Sequence, residues 1–104
     1  MRNRTKAREY ALQILYQLDV TQAEAASATQ EFWLYHQTTQ DVRGFATRLV
    51  EGTLRHLEQI NALIASCASN WEMSRMAVVD RNILRMGVYE LLYQEGVPPK
   101  VCLN

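Results

Sequence analysis

Apolar residues recur along the first segment at Ala7, Ala11, Ile14, Leu15 and Leu18. At ~100° per residue this spacing keeps all five within about one third of a helix circumference, which predicts an amphipathic helix with these side chains as its core face. Arg2, Lys6, Glu9, Gln13 and Tyr16 then fall on the opposite side, and Arg4 and Arg8 lie on the flank beside Leu15. Residues 21–30 (TQAEAASATQ) hold few large apolar groups, so they read as a linker or as the weakly anchored start of a helix. Phe32, Trp33, Leu34 and Tyr35 supply the bulk to dock a short second helix, and the polar stretch from His36 to Gln40 leads onward.

Asp41 suits the N-cap of a long third helix, because its carboxylate can accept from free first-turn amides at the positive helix end. The stripe of that helix runs through Val42, Phe45, Ala46, Leu49, Val50, Thr53, Leu54, Leu57, Ile60, Leu63, Ile64 and Cys67, which predicts one continuous element. Gly44 and Gly52 lie inside it. Each disfavours the helix by about 1 kcal/mol relative to alanine, so both read as points of close helix approach. Ser69 or Asn70 suits the cap of a short turn carrying Trp71, Met73 and Met76, with Glu72 and Arg75 spaced for an i,i+3 ion pair. In the next segment Val78, Val79, Ile83, Leu84, Met86, Val88, Leu91 and Leu92 cover most of a helix circumference, which predicts a central helix contacted on several sides, with Gly87 admitting a close neighbour. Glu95-Gly96 ends it, Val97-Pro98-Pro99 enforces an extended link, and Lys100 to Asn104 begin another turn. Proline is absent before Pro98 and there are four glycines, too few breakers for an all-β or α/β chain. The fold class is all-α.

Composition narrows this further. A chain of 104 residues with 48% hydrophobic and 21% charged residues is one globular domain rather than a disordered segment. No apolar run approaches the ~18 residues of a membrane span, and no apolar stretch follows the basic N-terminus as in a signal peptide, so no membrane association and a cytoplasmic location are expected. Cys67 and Cys102 lack CxxC spacing and read as packing residues. Eleven basic and eleven acidic residues cancel. Four of the bases, Arg2, Arg4, Lys6 and Arg8, nevertheless fall in the first eight residues with no acid among them. That end is either an electrostatic footprint for phosphate or a solvated basic terminus.

Catalysis has little support. His36 and His56 lack HExxH spacing, and there is no GxSxG, GxxxxGK[ST] or GxGxxG sequence, so neither catalytic residues nor a metal or cofactor are expected. Nucleic-acid binding is better supported, because Arg2, Lys6 and Arg8 can reach phosphates while Tyr16 offers a ring to an unpaired base or else borders the core. Only Gln13 and Gln17 follow the basic cluster, which suits single-stranded RNA better than the major groove of DNA. Arg81 and Arg85 form a second basic pair, read as structural partners of nearby acids.

Several tracts together resemble the NusB family of bacterial antitermination factors. They are Lys6-Ala7-Arg8-Glu9 with Ala11-Leu12-Gln13-Ile14-Leu15-Tyr16, Val79-Asp80-Arg81-Asn82-Ile83-Leu84-Arg85, Val88-Tyr89-Glu90-Leu91, and Val97-Pro98-Pro99-Lys100-Val101. The resemblance implies a NusB-like helical bundle of two helical subdomains, here residues 1–68 and a second, incomplete one at 69–104. It implies an RNA-binding adaptor that takes boxA-type single-stranded RNA with the ribosomal protein NusE and joins the RNA polymerase antitermination complex. Carried onto matching positions, it makes Arg2, Arg4, Lys6 and Arg8 phosphate contacts, Tyr16 a base contact, and Asp80 an acceptor for base amino groups. Family members continue with two further helices, expected to pack on Val88, Leu91 and Leu92, so a fragment or a self-associating chain is anticipated. Two alternatives are the NusB-like appendage of an rRNA cytosine methyltransferase and a homo-oligomeric helical module, such as a homodimer.

Overall fold

The structure is a computed structural model that describes residues 2–67 and 72–94, the side chain of Arg2 excepted. In order these form α1 (Arg2–Thr21), α2 (Ala25–Tyr35), α3 (Gln40–Arg55), α4 (Leu57–Cys67), a 3₁₀ turn (Met73–Arg75) and α5 (Val78–Tyr93). There is no strand among the described residues. The chain divides into two compact units, residues 1–51 and 52–104.

In the first unit the whole expected stripe of α1 is buried, from Ala7 and Ala11 through Ile14, Leu15 and Leu18. Alanine at two successive turns keeps the contact surface shallow, and α2 packs on α1. Gln22 stops α1 by adopting a φ of 58°, with its N–H on the Leu18 carbonyl at 2.8 Å. α2 then starts earlier than its sparse apolar content indicates, because Glu24 caps it. One carboxylate oxygen accepts the Ser27 N–H at 3.0 Å and the Ser27 hydroxyl at 2.6 Å, and the other accepts the Ala26 N–H at 3.3 Å. Only half of the following apolar run docks. Phe32 and Trp33 are buried, whereas Leu34 and Tyr35 are 76% and 77% exposed, since successive ~100° steps carry them off the packed side.

The cap of α3 is Thr39, whose hydroxyl accepts the Val42 N–H at 3.3 Å and whose carbonyl accepts the Arg43 N–H at 3.0 Å. Asp41 stands inside the first turn instead, where its charge still suits the positive helix end. The single long helix expected over this stretch is two, separated at His56. Hydrogen bonding passes through the break, from the His56 N–H to the Gly52 carbonyl at 3.1 Å and from the Ile60 N–H to the His56 carbonyl at 2.9 Å. Apolar positions stay in phase across it, so periodicity carries no sign of the interruption.

In the second unit α4 packs on α5 around Ile60, Ile64 and Val88, with Leu63, Met73, Leu84, Tyr89 and Leu92 against them. Gly52 is the point of close approach: a Cβ there would overlap the Cζ, Oη and Cε1 atoms of Tyr89. Gly87, expected to admit a neighbour, faces open space. α5 is also not sealed all round, since Val79 and Ile83 are 41% and 47% exposed. Val88, by contrast, is buried, and Leu91 and Leu92 are half-buried. Arg85 donates to the Asn61 side-chain oxygen at 3.0 Å and to that of buried Asn82 at 3.4 Å. Arg81 donates to the Met73 carbonyl at 3.3 Å, so both arginines brace the unit. The anticipated Glu72–Arg75 pair is present at 3.3 Å. Cys67 is disulfide-bonded, a correction to its reading as a plain packing thiol. Ser69, Asn70, Trp71, Cys102 and the helix end, extended link and final turn from 95 to 104 lie outside the described residues.

Two outcomes follow from these contacts. Gly52→Ala destabilises the chain by about 1–3 kcal/mol through overpacking; in a Tyr89→Leu background the same change is neutral or stabilising by up to about 1 kcal/mol, as helix propensity then dominates. Urea unfolding of the four variants measures this. The amides and hydroxyl around Glu24, chiefly the Ser27 side chain, hold its carboxyl below the ordinary glutamate range. The folded chain therefore binds this proton more weakly than the unfolded chain. The cap's contribution is complete above that range and disappears as pH falls through the lowered value. Glu24→Ala accordingly melts below the unaltered chain at neutral pH, and the two melting temperatures converge in acid.

Candidate functional site

Burial of the α1 stripe fixes the rotation of the helix and thereby presents its basic residues. Arg4 and Lys6 are exposed, and Arg8 is half-buried. Arg2 is the first residue of α1, its side chain undescribed. Tyr16 is 43% exposed, so its ring stands on the solvent side instead of closing the core. From Lys6 to Tyr16 the helix rises ~15 Å at 1.5 Å per residue, which separates a cationic end from an aromatic one along a single rod.

Arg4 and Lys6 each lie against an aromatic ring. The Lys6 ammonium pairs with Glu9 at 3.6 Å, with both side chains more than half exposed, and lies 5.1 Å from the Tyr10 ring centroid. Arg4 places its guanidinium carbon 4.9 Å from the centroid of Phe45 on α3. Two further arginines, which sequence reasoning did not select, behave alike: Arg48 stands 5.9 Å from the same Phe45 ring, and Arg43 stands 5.7 Å from Trp33. Arg43 and Arg48 are five residues apart, so they share no helical stripe, and only the tertiary positions of Trp33 and Phe45 bring them to notice. Behind this surface lies an aromatic cluster. Tyr10 meets Phe32 and Trp33 edge-on at 5.7 and 5.5 Å, and His36 stacks on Phe32 at 3.9 Å with an interplanar angle of 7°. The His36 Nδ1 lies 3.0 Å from the Phe32 carbonyl, which ties the imidazole to its own helix. The indole N–H of Trp33 is buried with no partner among the described residues.

Cation–π contacts differ from ion pairs in a way that matters for binding. A ring orders a guanidinium through its negative face yet leaves the net charge and the N–H edges available to an incoming anion. A carboxylate partner uses both. An exposed lysine-glutamate pair is worth only ~0–1 kcal/mol and is readily exchanged for a phosphate. Asp80 belongs to the other compact unit, where it is exposed in the first turn of α5. Ala77 caps that helix without a side-chain bond, so Asp80 supplies the negative charge that the helix start favours.

Among the described residues no group of three or more His, Cys, Asp or Glu side chains is placed to hold a metal ion, and no helix is long and apolar enough to cross a membrane.

Comparison with known proteins places these features in a wider set. The model of the NusB family matches residues 5–104. The transcription antitermination protein NusB of Syntrophus aciditrophicus is 46% identical over the whole chain, which spans 65% of that relative's length. Among solved structures, the crystal structure of antitermination factors NusB and NusE in complex with dsRNA superposes with a TM-score of 0.82 at 30% identity, covering 95% of this chain and 74% of the matched one. A chain in the crystal structure of a plectonemic RNA supercoil superposes with a TM-score of 0.84 at 31% identity, covering 95% and 72%.

Glu9→Gln changes unfolding free energy by less than about 0.5 kcal/mol, because the pair it removes is solvent-screened; a larger loss in urea unfolding would mean that Glu9 holds Lys6 as part of the fold.

Proposed function

The chain belongs to the NusB family, and from that premise we propose that it is an RNA-binding transcription antitermination factor, an adaptor rather than an enzyme. It takes boxA-type single-stranded RNA in the cytoplasm together with NusE and acts in the RNA polymerase antitermination complex. The observation that carries this reading is the exposure of α1 cations around a fully buried apolar stripe: Lys6 stands exposed on the side opposite the stripe, and Arg4 stands exposed on its flank beside Leu15. In this reading Arg2, Arg4, Lys6 and Arg8 neutralise phosphates, and Tyr16 stacks on an unpaired base. Asp80 accepts from base amino groups. Phosphate contacts set register and supply most of the affinity, whereas the ring supplies a sequence-tolerant foothold. NusE and RNA come to this chain as partners through its likeness to the NusB–NusE complex with dsRNA. That likeness also makes a duplex the natural competitor for the single strand.

Each phosphate neutralised on a single strand contributes about −0.7 to the slope of log K against log salt. In anisotropy titrations with a short fluorescent boxA-type RNA, the unaltered chain binds with a steep negative slope. The Arg4→Gln, Lys6→Gln pair reduces its magnitude by about 1.4. A duplex of the same sequence binds more weakly. An unchanged slope in the double variant rejects α1 as the interface.

A further inference from the structure

The ring shared by Arg4 and Arg48 is not used by a reading confined to α1. Their guanidinium carbons stand 4.9 and 5.9 Å from the Phe45 centroid, so residues from two helices converge on one half-buried ring. Both arginines are exposed, and among the described residues neither is in an ion pair. The acids that flank Arg48 on α3, Asp41 and Glu51, are exposed and make no salt bridge to it. A Cβ at Gly44 would lie 3.5 Å from the Arg48 Nη1, which shows that the side chain lies back along α3 over the glycine.

This is an arrangement in want of an anion. Sharing a ring brings two like charges within roughly one Debye length, ~10 Å at 0.1 M salt, so each raises the local attraction for a phosphate. Their cation–π contacts with the ring restrain two long side chains in advance, which removes part of the ordering entropy that binding otherwise demands. Arginine suits the task, since a planar fork resting on a ring can still offer two parallel N–H bonds to phosphate oxygens.

Resting on the RNA-binding reading above, we propose that Arg48 joins Arg4 as an RNA-phosphate clamp and that Phe45 is the positioning residue that holds both guanidiniums. The interface thus extends from α1 onto α3.

The test uses the full chain and the same short fluorescent single-stranded RNA. Arg48→Gln lowers the magnitude of the salt slope by about 0.7 and weakens binding at low salt by roughly threefold or more. Phe45→Leu keeps apolar bulk but removes the ring, and weakens binding several-fold; Phe45→Tyr restores the ring and the affinity. Arg75→Gln, an exposed arginine of the 3₁₀ turn, leaves the slope unchanged. If Arg4→Gln reduces slope and affinity while Arg48→Gln alters neither, the clamp is wrong and the α1 reading stands. Equal affinities for Phe45→Leu and Phe45→Tyr overturn the positioning role. Absence of salt-dependent RNA binding by the unaltered chain overturns both readings together.

Discussion

Burial of five side chains along α1 is the constraint from which the rest of the first unit follows. Once Ala7, Ala11, Ile14, Leu15 and Leu18 are out of water, the helix has no rotational freedom left. A one-residue change of phase turns it by ~100° and drags a charged side chain toward the core at a penalty of several kcal/mol. The direction in which Arg4 and Lys6 face is therefore set by apolar packing, not by anything the charges do for themselves. Alanine at positions 7 and 11 adds little transfer free energy, but it lets a neighbouring helix come close.

The manner in which the cations are held follows from a second constraint. Charges meant to meet a polyanion lose their value if the fold neutralises them, and long flexible side chains bind poorly if nothing restrains them. Aromatic faces reconcile these demands at Phe45, Trp33 and Tyr10, each with a guanidinium or ammonium within 6 Å of its centroid. Part of each ring surface goes to the core and part remains as a platform. The same rings thus serve packing on one side and recognition on the other.

The second unit shows how one residue type takes opposite roles by position. Gly52 accepts a Cβ only if the end of the Tyr89 ring gives way, whereas Gly87 could accept one freely. Sequence alone made both glycines sites of close approach, and nothing in their local surroundings separates them. α5 repeats the point. Its apolar residues cover most of the circumference, yet burial falls on Met86 and Val88 and leaves Val79 and Ile83 in contact with water. Apolar content predicts that a helix can be covered; only its neighbours decide which part is.

Helical periodicity, the core face of α1, the stripe through Val42 and Ile64, and the Glu72–Arg75 pair were all legible in the order of residues. They are local: they depend on steps of three and four along one helix, which the backbone geometry translates directly into faces. Family membership was legible for a related reason, since the tracts around Asp80, Tyr89 and Pro98 keep their residue types in register. The break at His56, the caps by Glu24 and Thr39, the bonded state of Cys67 and the pairing of Arg4 with Arg48 on one ring were not. Each depends on where a partner from elsewhere arrives or on which of several polar neighbours wins a backbone amide. Differences of about 1 kcal/mol settle such competitions, and no spacing rule along the chain encodes them.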